Sequence, residues 1–289
     1  MSTLFAGPEP SEPGGSPGVD VVIVNYRSAS LAIRCIRSIL LLDIARLERI
    51  VVVDNNSQDD SVERLCNEVP GLRVISWPLN NGFGAGVNVG MSHVNGEHVL
   101  VLNPDTYFET NVIPKVLSVM NENDDIGIVG LDLVNPDGTR QFSARRFYSY
   151  FDIAARRLSI LAKLVAGRID RHLMKDLWKR EELFDAEWVM GTGFVIRRAV
   201  FDAVSGMDER YFLYLEDVDL CARVWNAGYR VVCLPNACLV HDHQRSSAAH
   251  PLSFAGRKHI KSLMLFAQKF KVPLLRAPGV SGILGKTSR

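Results

Sequence analysis

Two short β-branched runs near the start of the chain, each ending in polar residues, limit the folds that it can adopt. They span residues 19–26 and 49–57, and an amphipathic segment, 30–42, lies between them. Such runs are typical of buried parallel strands, and the helix between them would be a crossover connection. A third strand-like stretch precedes Asn80, and a fourth spans 97–102. The sequence therefore predicts an α/β fold with a mostly parallel sheet flanked by helices.

Polar side chains stand where the first two predicted strands end. In open α/β sheets, ligands bind outside the carboxyl ends of the strands, so these side chains are expected to line a site. Asparagine and aspartate are also ordinary turn residues, and a purely structural turn remains an alternative for each of them. The candidates are Asn25, Tyr26, Asp54, Asn55 and Asn56.

The segment 80–90 contains glycine wherever a backbone would have to approach another group closely. A glycine-rich helix start can bind phosphate through free amides, although a tight turn without a ligand is the alternative. The dinucleotide fingerprint Gly-x-Gly-x-x-Gly is excluded, because it would need glycine at position 87 or 89, where valines stand.

Asp105 follows the fourth predicted strand, within the sequence Asn103-Pro-Asp-Thr106. A carboxylate held there could share Mg²⁺ or Mn²⁺ with substrate phosphates, because these ions keep several waters and take only one or two carboxylates. The same composition is common in turns, so its value lies in its position after the other segments.

Three acids, Glu216, Asp217 and Asp219, stand among aromatic and aliphatic residues. An unpartnered carboxylate is costly to bury, so acids in an apolar segment indicate a helix start, a metal ligand or a catalytic base. The simplest alternative is that Asp217 or Asp219 only caps the following helix.

The order of these motifs resembles the nucleotide-sugar glycosyltransferases of family 2, which have the GT-A fold with a Rossmann-like sheet. The motifs are a strand ending in Asp-Asn, the glycine-rich loop, Asn-Pro-Asp, Gly-Thr-Gly, and Tyr-x-x-Glu-Asp-x-Asp-Leu. The resemblance covers roughly residues 19–247, and within the family it is strongest to bacterial rhamnosyltransferases of the cell-wall linker and O-antigen type.

The resemblance implies that the first half of the chain binds the donor nucleotide. It gives the nucleoside to Asp54 and Asn55, with Asp54 accepting a hydrogen bond from the base. It places Asn81, Gly82 and Asn88 beside the nucleotide and its ribose.

The resemblance also implies a metal site for Mg²⁺ or Mn²⁺ at Asp105 and His241. Asp105 matches the last acid of the family's Asp-x-Asp motif, whose first position is Asn103 here. One anionic ligand therefore remains instead of two, and we expect a modest metal affinity. His241 could be the second ligand or could donate a hydrogen bond to the leaving phosphate.

On the acceptor side, the resemblance assigns a loop to Gly191, Thr192 and Gly193 and the catalytic base to Asp217. Glu216 and Asp219 would support the base or cap its helix. A carboxylate at the attacking hydroxyl and a cation at the leaving diphosphate are what this reaction requires. One base without a covalent intermediate implies inversion at the anomeric carbon.

Composition excludes some functions. A net charge of +1 over 289 residues gives no basis for an electrostatic search for nucleic acid. The first 18 residues are rich in Pro, Gly and Ser and are predicted to form a disordered tail, and no apolar run is long enough for a transmembrane helix. The five cysteines include no C-x-x-C pair, which favours reduced thiols in a cytosol and argues against zinc.

Two segments could nevertheless contact a membrane surface. Residues 145–180 interleave basic with aromatic and aliphatic residues, and residues 251–289 contain eight Lys and Arg but no acid. Basic residues near an anionic leaflet each contribute about 1 kcal/mol to membrane binding. The alternative is a core-packing helix with a solvated basic face.

These observations predict one GT-A domain, 19–250, followed by a basic amphipathic helical extension, 251–289. The donor would bind to 19–106 and the acceptor to 107–250. The expected function is inverting transfer of a sugar, L-rhamnose from dTDP-L-rhamnose, to a polyprenyl-diphosphate-linked saccharide at the inner face of the cytoplasmic membrane. Alternatives are a UDP- or GDP-sugar donor, a nucleotidyltransferase, and a non-catalytic sugar- or lipid-binding relative.

Overall fold

A nine-stranded sheet forms the centre of the molecule. The computed structural model describes residues 18–149, 151, 166–242, 254–273, 275 and 277–285. Residues 1–17 of the predicted tail (1–18) therefore lie outside the described residues, as do 150 and 152–165 of the first predicted membrane-contacting segment and 251–253, 274, 276 and 286–289 of the second. Along the sheet the strands are β3 (Arg73–Trp77), β2 (Ile50–Asn55), β1 (Asp20–Asn25), β4 (His98–Leu102), β10 (Gly193–Arg197), β6 (Ile126–Val134), β11 (Arg230–His241) and β5 (Thr106–Tyr107), and β8 (Phe184–Asp185) pairs with β11.

Helices cover both faces of this sheet. In the described part of the chain they are α1 (Ala29–Leu41), α2 (Ser61–Glu68), α3 (Phe83–Met91), α4 (Ile113–Glu122), α5 (Ala166–His172), α6 (Lys175–Trp178), α7 (Arg198–Ala203), α8 (Glu216–Asn226), α9 (Phe254–Lys269) and α10 (Gly279–Ile283). A second sheet pairs β7 (Ala144–Arg145) with β9 (Trp188–Val189).

Strand direction follows the prediction. Strands β1 to β4 are parallel to one another, β11 is parallel to β6, and β10, β5 and β8 are the antiparallel members. The mostly parallel α/β sheet flanked by helices is therefore confirmed. The pairing of β1 with β2 sets Asn25 beside Asp54, so the polar strand ends predicted from the sequence meet at one edge of the sheet.

The alternation of side chains along each strand separates two apolar clusters. In β1, Val22 and Val24 point into one cluster, whereas Val21 and Ile23 point into the other. Helix α3 packs closely over β1 because Gly86 and Gly90 are four residues apart on one helix face. A Cβ atom at either glycine would overlap a β1 valine, so part of the glycine-rich pattern serves helix packing and not ligand binding.

Helix α9 packs on the body of the molecule with one face and is exposed on the other. Phe266, Ala267 and Ser262 are buried, whereas Ile260 and Met264 are exposed. In the described ranges, no helix combines the length and the apolar character needed to cross a bilayer.

Candidate active site

The first part of the site is a hydrogen-bonded cluster at the ends of β1 and β2. Asn25 Nδ2 donates to Asp54 Oδ1 at 2.8 Å, and the Ser57 amide donates to Asp54 Oδ2 at 3.0 Å. Ser57 Oγ in turn accepts from the Arg27 amide at 2.8 Å. The structure thus brings Asn25 and Asp54 together, whereas the Tyr26 side chain beside them is 44% exposed. Ser57 is a cluster member that the sequence analysis missed, although its place three residues after Asp54 is typical of a side-chain turn.

The glycine-rich loop lies against the end of β2. Asn55 Nδ2 donates to the Gly82 carbonyl at 2.9 Å and lies 3.2 Å from Asn80 Oδ1. Gly82 has φ of 97°, and a Cβ atom there would overlap the Phe212 carbonyl oxygen. Only glycine fits at this contact, which joins the predicted nucleotide loop to the segment before the acidic helix α8. Asn81 is exposed.

Asn88 has a structural role that the sequence did not predict. Its Nδ2 donates to the Met207 carbonyl at 3.0 Å and to Glu209 Oε1 at 2.8 Å, and its Oδ1 accepts from the Met207 amide at 2.8 Å. The amide therefore fastens the segment 206–209 to α3. These bonds use both hydrogens of Nδ2 but only one lone pair of Oδ1, so a ribose hydroxyl would have to donate to Oδ1, and that role remains a prediction.

The two predicted metal ligands are adjacent in space although 136 positions separate them. His241 Nε2 lies 3.3 Å from Asp105 Oδ2, and the Asp242 amide donates to the Asp105 carbonyl at 2.9 Å. The β11–β5 pairing produces this proximity, because it sets His241 opposite Thr106. On its other side, His241 Nδ1 lies 2.7 Å from Gln141 Oε1, and Gln141 is a further residue of the site that the sequence analysis missed.

This pair fits a divalent cation. Asp105 Oδ1 is buried and has no hydrogen-bond partner among the described residues, so it is an acceptor available for a ligand. One carboxylate and one imidazole suit Mg²⁺ or Mn²⁺ when substrate phosphates and waters complete the shell. Within the described chain, no group of three or more His, Cys, Asp or Glu side chains is arranged to hold a metal by itself.

Asp217 stands at the first turn of α8 and is held by two backbone amides. Its Oδ2 accepts from the Gly191 amide and its Oδ1 from the Val218 amide, each at 2.8 Å. Burial raises the pKa of this carboxyl, while the two amides and the charge of Arg145 act in the opposite direction. The side chain is half-buried, so it combines partial access with a proton affinity above that of an ordinary aspartate.

The Gly-Thr-Gly loop connects Asp217 with the metal pair. Its first residue, Gly191, binds Asp217, and the carbonyl of the buried Thr192 accepts from the Asn103 amide at 2.9 Å. Gly193 then enters β10, where a Cβ atom would overlap Leu239. Three consecutive residues thus lie between the carboxylate of α8 and the loop that carries Asp105.

Glu216 and Asp219 flank Asp217 in different environments. Glu216 is buried, and burial together with the Asp217 charge raises its pKa to about 8. Asp219 is fully buried in ion pairs with Arg223 Nε and Lys269 Nζ, each at 2.6 Å. Lys269 is the last residue of α9, so its ion pair with Asp219 joins α8 to α9, and its Nζ also donates to Asp208 Oδ2 at 2.8 Å.

Known proteins of similar sequence include rhamnosyltransferases. Residues 20–205 match the family model described as glycosyl transferase family 2. The chain is 27% identical over 264 residues to an N-acetylglucosaminyl-diphospho-decaprenol L-rhamnosyltransferase of Mycobacterium tuberculosis, covering 86% of this chain and 84% of that protein. It is 23% identical to rhamnosyltransferase WbbL of Escherichia coli K12, covering 77% and 83%.

A solved structure shows the same fold. The mannosyltransferase PcManGT of Pyrobaculum calidifontis, in complex with GDP-Man and Mn²⁺, aligns with a TM-score of 0.59 at 16% identity, over 94% of this chain and 70% of that one. The GT-A fold and the resemblance to rhamnosyltransferases are therefore confirmed. The family match spans more than half of the sequence, and the chain belongs to glycosyl transferase family 2 and is a glycosyltransferase.

Proposed function

We propose that the protein transfers L-rhamnose from dTDP-L-rhamnose to a polyprenyl-diphosphate-linked saccharide, with inversion at the anomeric carbon. The observation that carries this proposal is the Gly191–Thr192–Gly193 bridge, which sets the Asp217 carboxylate next to the loop of the Asp105–His241 pair. A base and a site for the leaving diphosphate are the two groups that such a transfer requires. The sugar and the acceptor are proposed from the two rhamnosyltransferase relatives.

In the proposed reaction, Asp217 removes the proton of the acceptor hydroxyl as its oxygen bonds to the anomeric carbon. The bond from that carbon to the diphosphate oxygen breaks, and its electron pair leaves with dTDP. The two backbone amides at Asp217 orient the carboxylate, and its raised pKa strengthens it as a base. Bound Mg²⁺ or Mn²⁺ would supply charge neutralisation for the leaving diphosphate, held by Asp105 and His241.

For the donor nucleotide, we propose the pocket edge formed by Asn25, Asp54, Asn55 and the loop 80–82. Asn25 Oδ1 and Asn55 Oδ1 are buried acceptors without a partner among the described residues. Acceptors of this kind are suited to the ring N–H of a pyrimidine or to ribose hydroxyls. Asp54 accepts three hydrogen bonds, from Asn25 Nδ2 and from the amide and hydroxyl of Ser57. It remains able to accept one more from the base, because a carboxylate has about four acceptor positions.

Heat stabilisation by nucleotides tests the donor assignment. The purified protein is melted with dTDP, UDP, GDP or CMP, each with and without Mn²⁺. A ligand at 100 times its dissociation constant adds about 2.7 kcal/mol, which is readily measured as a rise in Tm. We expect the largest metal-dependent rise with dTDP. Preference for UDP or GDP would replace the donor and keep the family, whereas no response to any nucleotide would contradict the proposed site.

We also propose that the enzyme works at the cytoplasmic surface of the membrane, with the outer face of α9 toward the lipid. On that face Ile260 is 39% and Met264 66% exposed, and Arg257 and Lys261 flank them. Exposed apolar side chains between basic ones suit an anionic bilayer surface. The inner face packs on the protein, so the outer face is the part of this helix that is available to contact lipid.

Sedimentation with lipid vesicles tests the membrane proposal. The protein should co-sediment with phosphatidylglycerol vesicles at low salt and much less with phosphatidylcholine vesicles. The double variant Ile260→Ser, Met264→Ser should lose most of this binding, whereas Leu41→Ser, which changes an exposed leucine on α1, should retain it. Equal binding of the two variants would contradict the role of α9.

A further inference from the structure

Gln141 contacts the metal-site histidine at two points. It follows β6 along the chain, where its backbone amide donates to the Leu133 carbonyl at 2.8 Å. Its side-chain Oε1 lies 2.7 Å from His241 Nδ1, and its Nε2 donates to the His241 backbone carbonyl at 2.9 Å. One amide thus holds both the ring and the backbone of a residue 100 positions away.

The surroundings of Gln141 determine which way its amide points. Nε2 lies between the His241 carbonyl and Asn135 Oδ1, the latter at 2.6 Å. A backbone carbonyl can only accept, so the NH₂ group must face it and Oε1 must face the imidazole. In the reversed orientation, Gln141 Oε1 would face the His241 carbonyl oxygen, and the two Nε2 hydrogens would point toward the imidazole.

The orientation of the amide in turn determines the histidine tautomer. Oε1 can only accept, so His241 Nδ1 carries the hydrogen between them. In the neutral ring the lone pair is then on Nε2, which faces Asp105 Oδ2 at 3.3 Å. A ring lone pair and a carboxylate oxygen at this distance are two acceptors facing each other, an arrangement that a cation stabilises.

We propose that Gln141 is a positioning residue that fixes the Nδ1–H tautomer of His241 and so directs its Nε2 lone pair toward the cation site with Asp105. This inference rests on the proposed metal role of the pair. Outer partners of this kind orient metal-ligating histidines, and their loss typically lowers metal affinity 10- to 100-fold.

The tautomer can be read directly in the metal-free protein. Two-bond ¹H–¹⁵N correlation spectra distinguish the two nitrogens of each imidazole, and a His241→Asn variant identifies the signals of this ring. The spectra are recorded over a series of alkaline pH values, and the tautomer is read where the ring signals no longer change with pH. We expect the Nδ1–H tautomer in the native protein. The Nε2–H tautomer would overturn the proposal.

Two variants of Gln141 separate positioning from general structural damage. Gln141→Leu removes the acceptor and should release the tautomer preference and weaken Mn²⁺ binding at least 10-fold, measured by the signal of free Mn²⁺ in electron paramagnetic resonance. Gln141→Glu keeps an acceptor toward Nδ1 and should retain the tautomer. Gln268→Leu, at an exposed position of α9, is the matched control and should change neither readout.

The outcomes distinguish this inference from the proposed function. An unchanged tautomer in Gln141→Leu would overturn the role of Gln141, whatever nucleotide the protein binds. The predicted tautomer shift together with weaker Mn²⁺ binding would support it even if heat stabilisation favoured UDP or GDP. A donor other than dTDP would therefore contradict only the proposed sugar.

Discussion

Replacing Glu216 by glutamine should remove a loss of folding stability that the native protein undergoes as the pH rises. Glu216 is buried, its Oε2 has no hydrogen-bond partner in the described part of the chain, and its pKa is raised from 4.5 to about 8 by burial and by the Asp217 charge. Between these two values the folded protein holds a proton that the unfolded chain has released. The free energy of unfolding therefore falls as pH rises through this range.

The size of the effect follows from the two pKa values. Each pKa unit corresponds to about 1.4 kcal/mol, so a rise from 4.5 to about 8 corresponds to a loss on the order of 5 kcal/mol by pH 8. Glutamine has nearly the same shape and never ionises. The variant and the native protein should therefore have similar stability near pH 4.5, and the variant should be the more stable by several kcal/mol at pH 8.

Urea unfolding at a series of pH values measures this difference directly. Glu63→Gln, at an exposed position of α2, is the matched control and should follow the native curve across the whole range. The reasoning is refuted if the curves for Glu216→Gln and the native protein stay parallel between pH 4.5 and 8, because Glu216 would then ionise as easily in the folded state as in the unfolded one.

Three further substitutions test separate contacts. Gly82→Ala should lower Tm more than Gly138→Ala. Both glycines have positive φ, which costs a side chain about 1–2 kcal/mol, but only at Gly82 would the new Cβ atom overlap a backbone oxygen. Equal losses of Tm would refute the contact between Gly82 and the Phe212 carbonyl. Lys269→Met should lower the free energy of unfolding, measured in urea, by about 3 kcal/mol, because it leaves the buried Asp219 with one cationic partner. Lys271→Met, on the surface, should change it little. A smaller loss at Lys269 would mean that its ion pair with Asp219 does not stabilise the fold. Asp105→Asn should abolish the Mn²⁺-dependent part of nucleotide stabilisation and leave the metal-independent part, and retention of the Mn²⁺ effect would exclude Asp105 as a ligand.

Much of the fold was predictable because it depends on local patterns. The β-branched runs predicted the parallel strands, and the segment 30–42 predicted the crossover, which the structure places at Ala29–Leu41. The adjacency of Asn25 and Asp54 followed as well, since parallel strands end at the same edge. These features need only periodicity and strand direction, both of which a single sequence contains.

The supporting contacts of the site were not predictable, because they join residues that are distant in the sequence. Gln141 meets His241 across 100 positions, and Lys269 meets Asp219 across 50. No local pattern marks either partner, and only the assembled sheet and the docked helix bring them together. Gly86 shows the opposite case: its motif was visible, but its close contact with Val24 serves packing.

The identity of the catalytic base is tested most directly by turnover of Asp217→Asn. dTDP-L-rhamnose and a lipid-diphosphate-linked N-acetylglucosamine are incubated with each protein, and the product is quantified and its anomeric configuration is determined by NMR. We expect an inverted product from the native enzyme and turnover at least 100-fold lower in Asp217→Asn, with its stabilisation by nucleotide unchanged. The control variant Asp124→Asn, at an exposed position, should be fully active. Full turnover by Asp217→Asn, or a product of retained configuration, would contradict the assignment of Asp217 as the base.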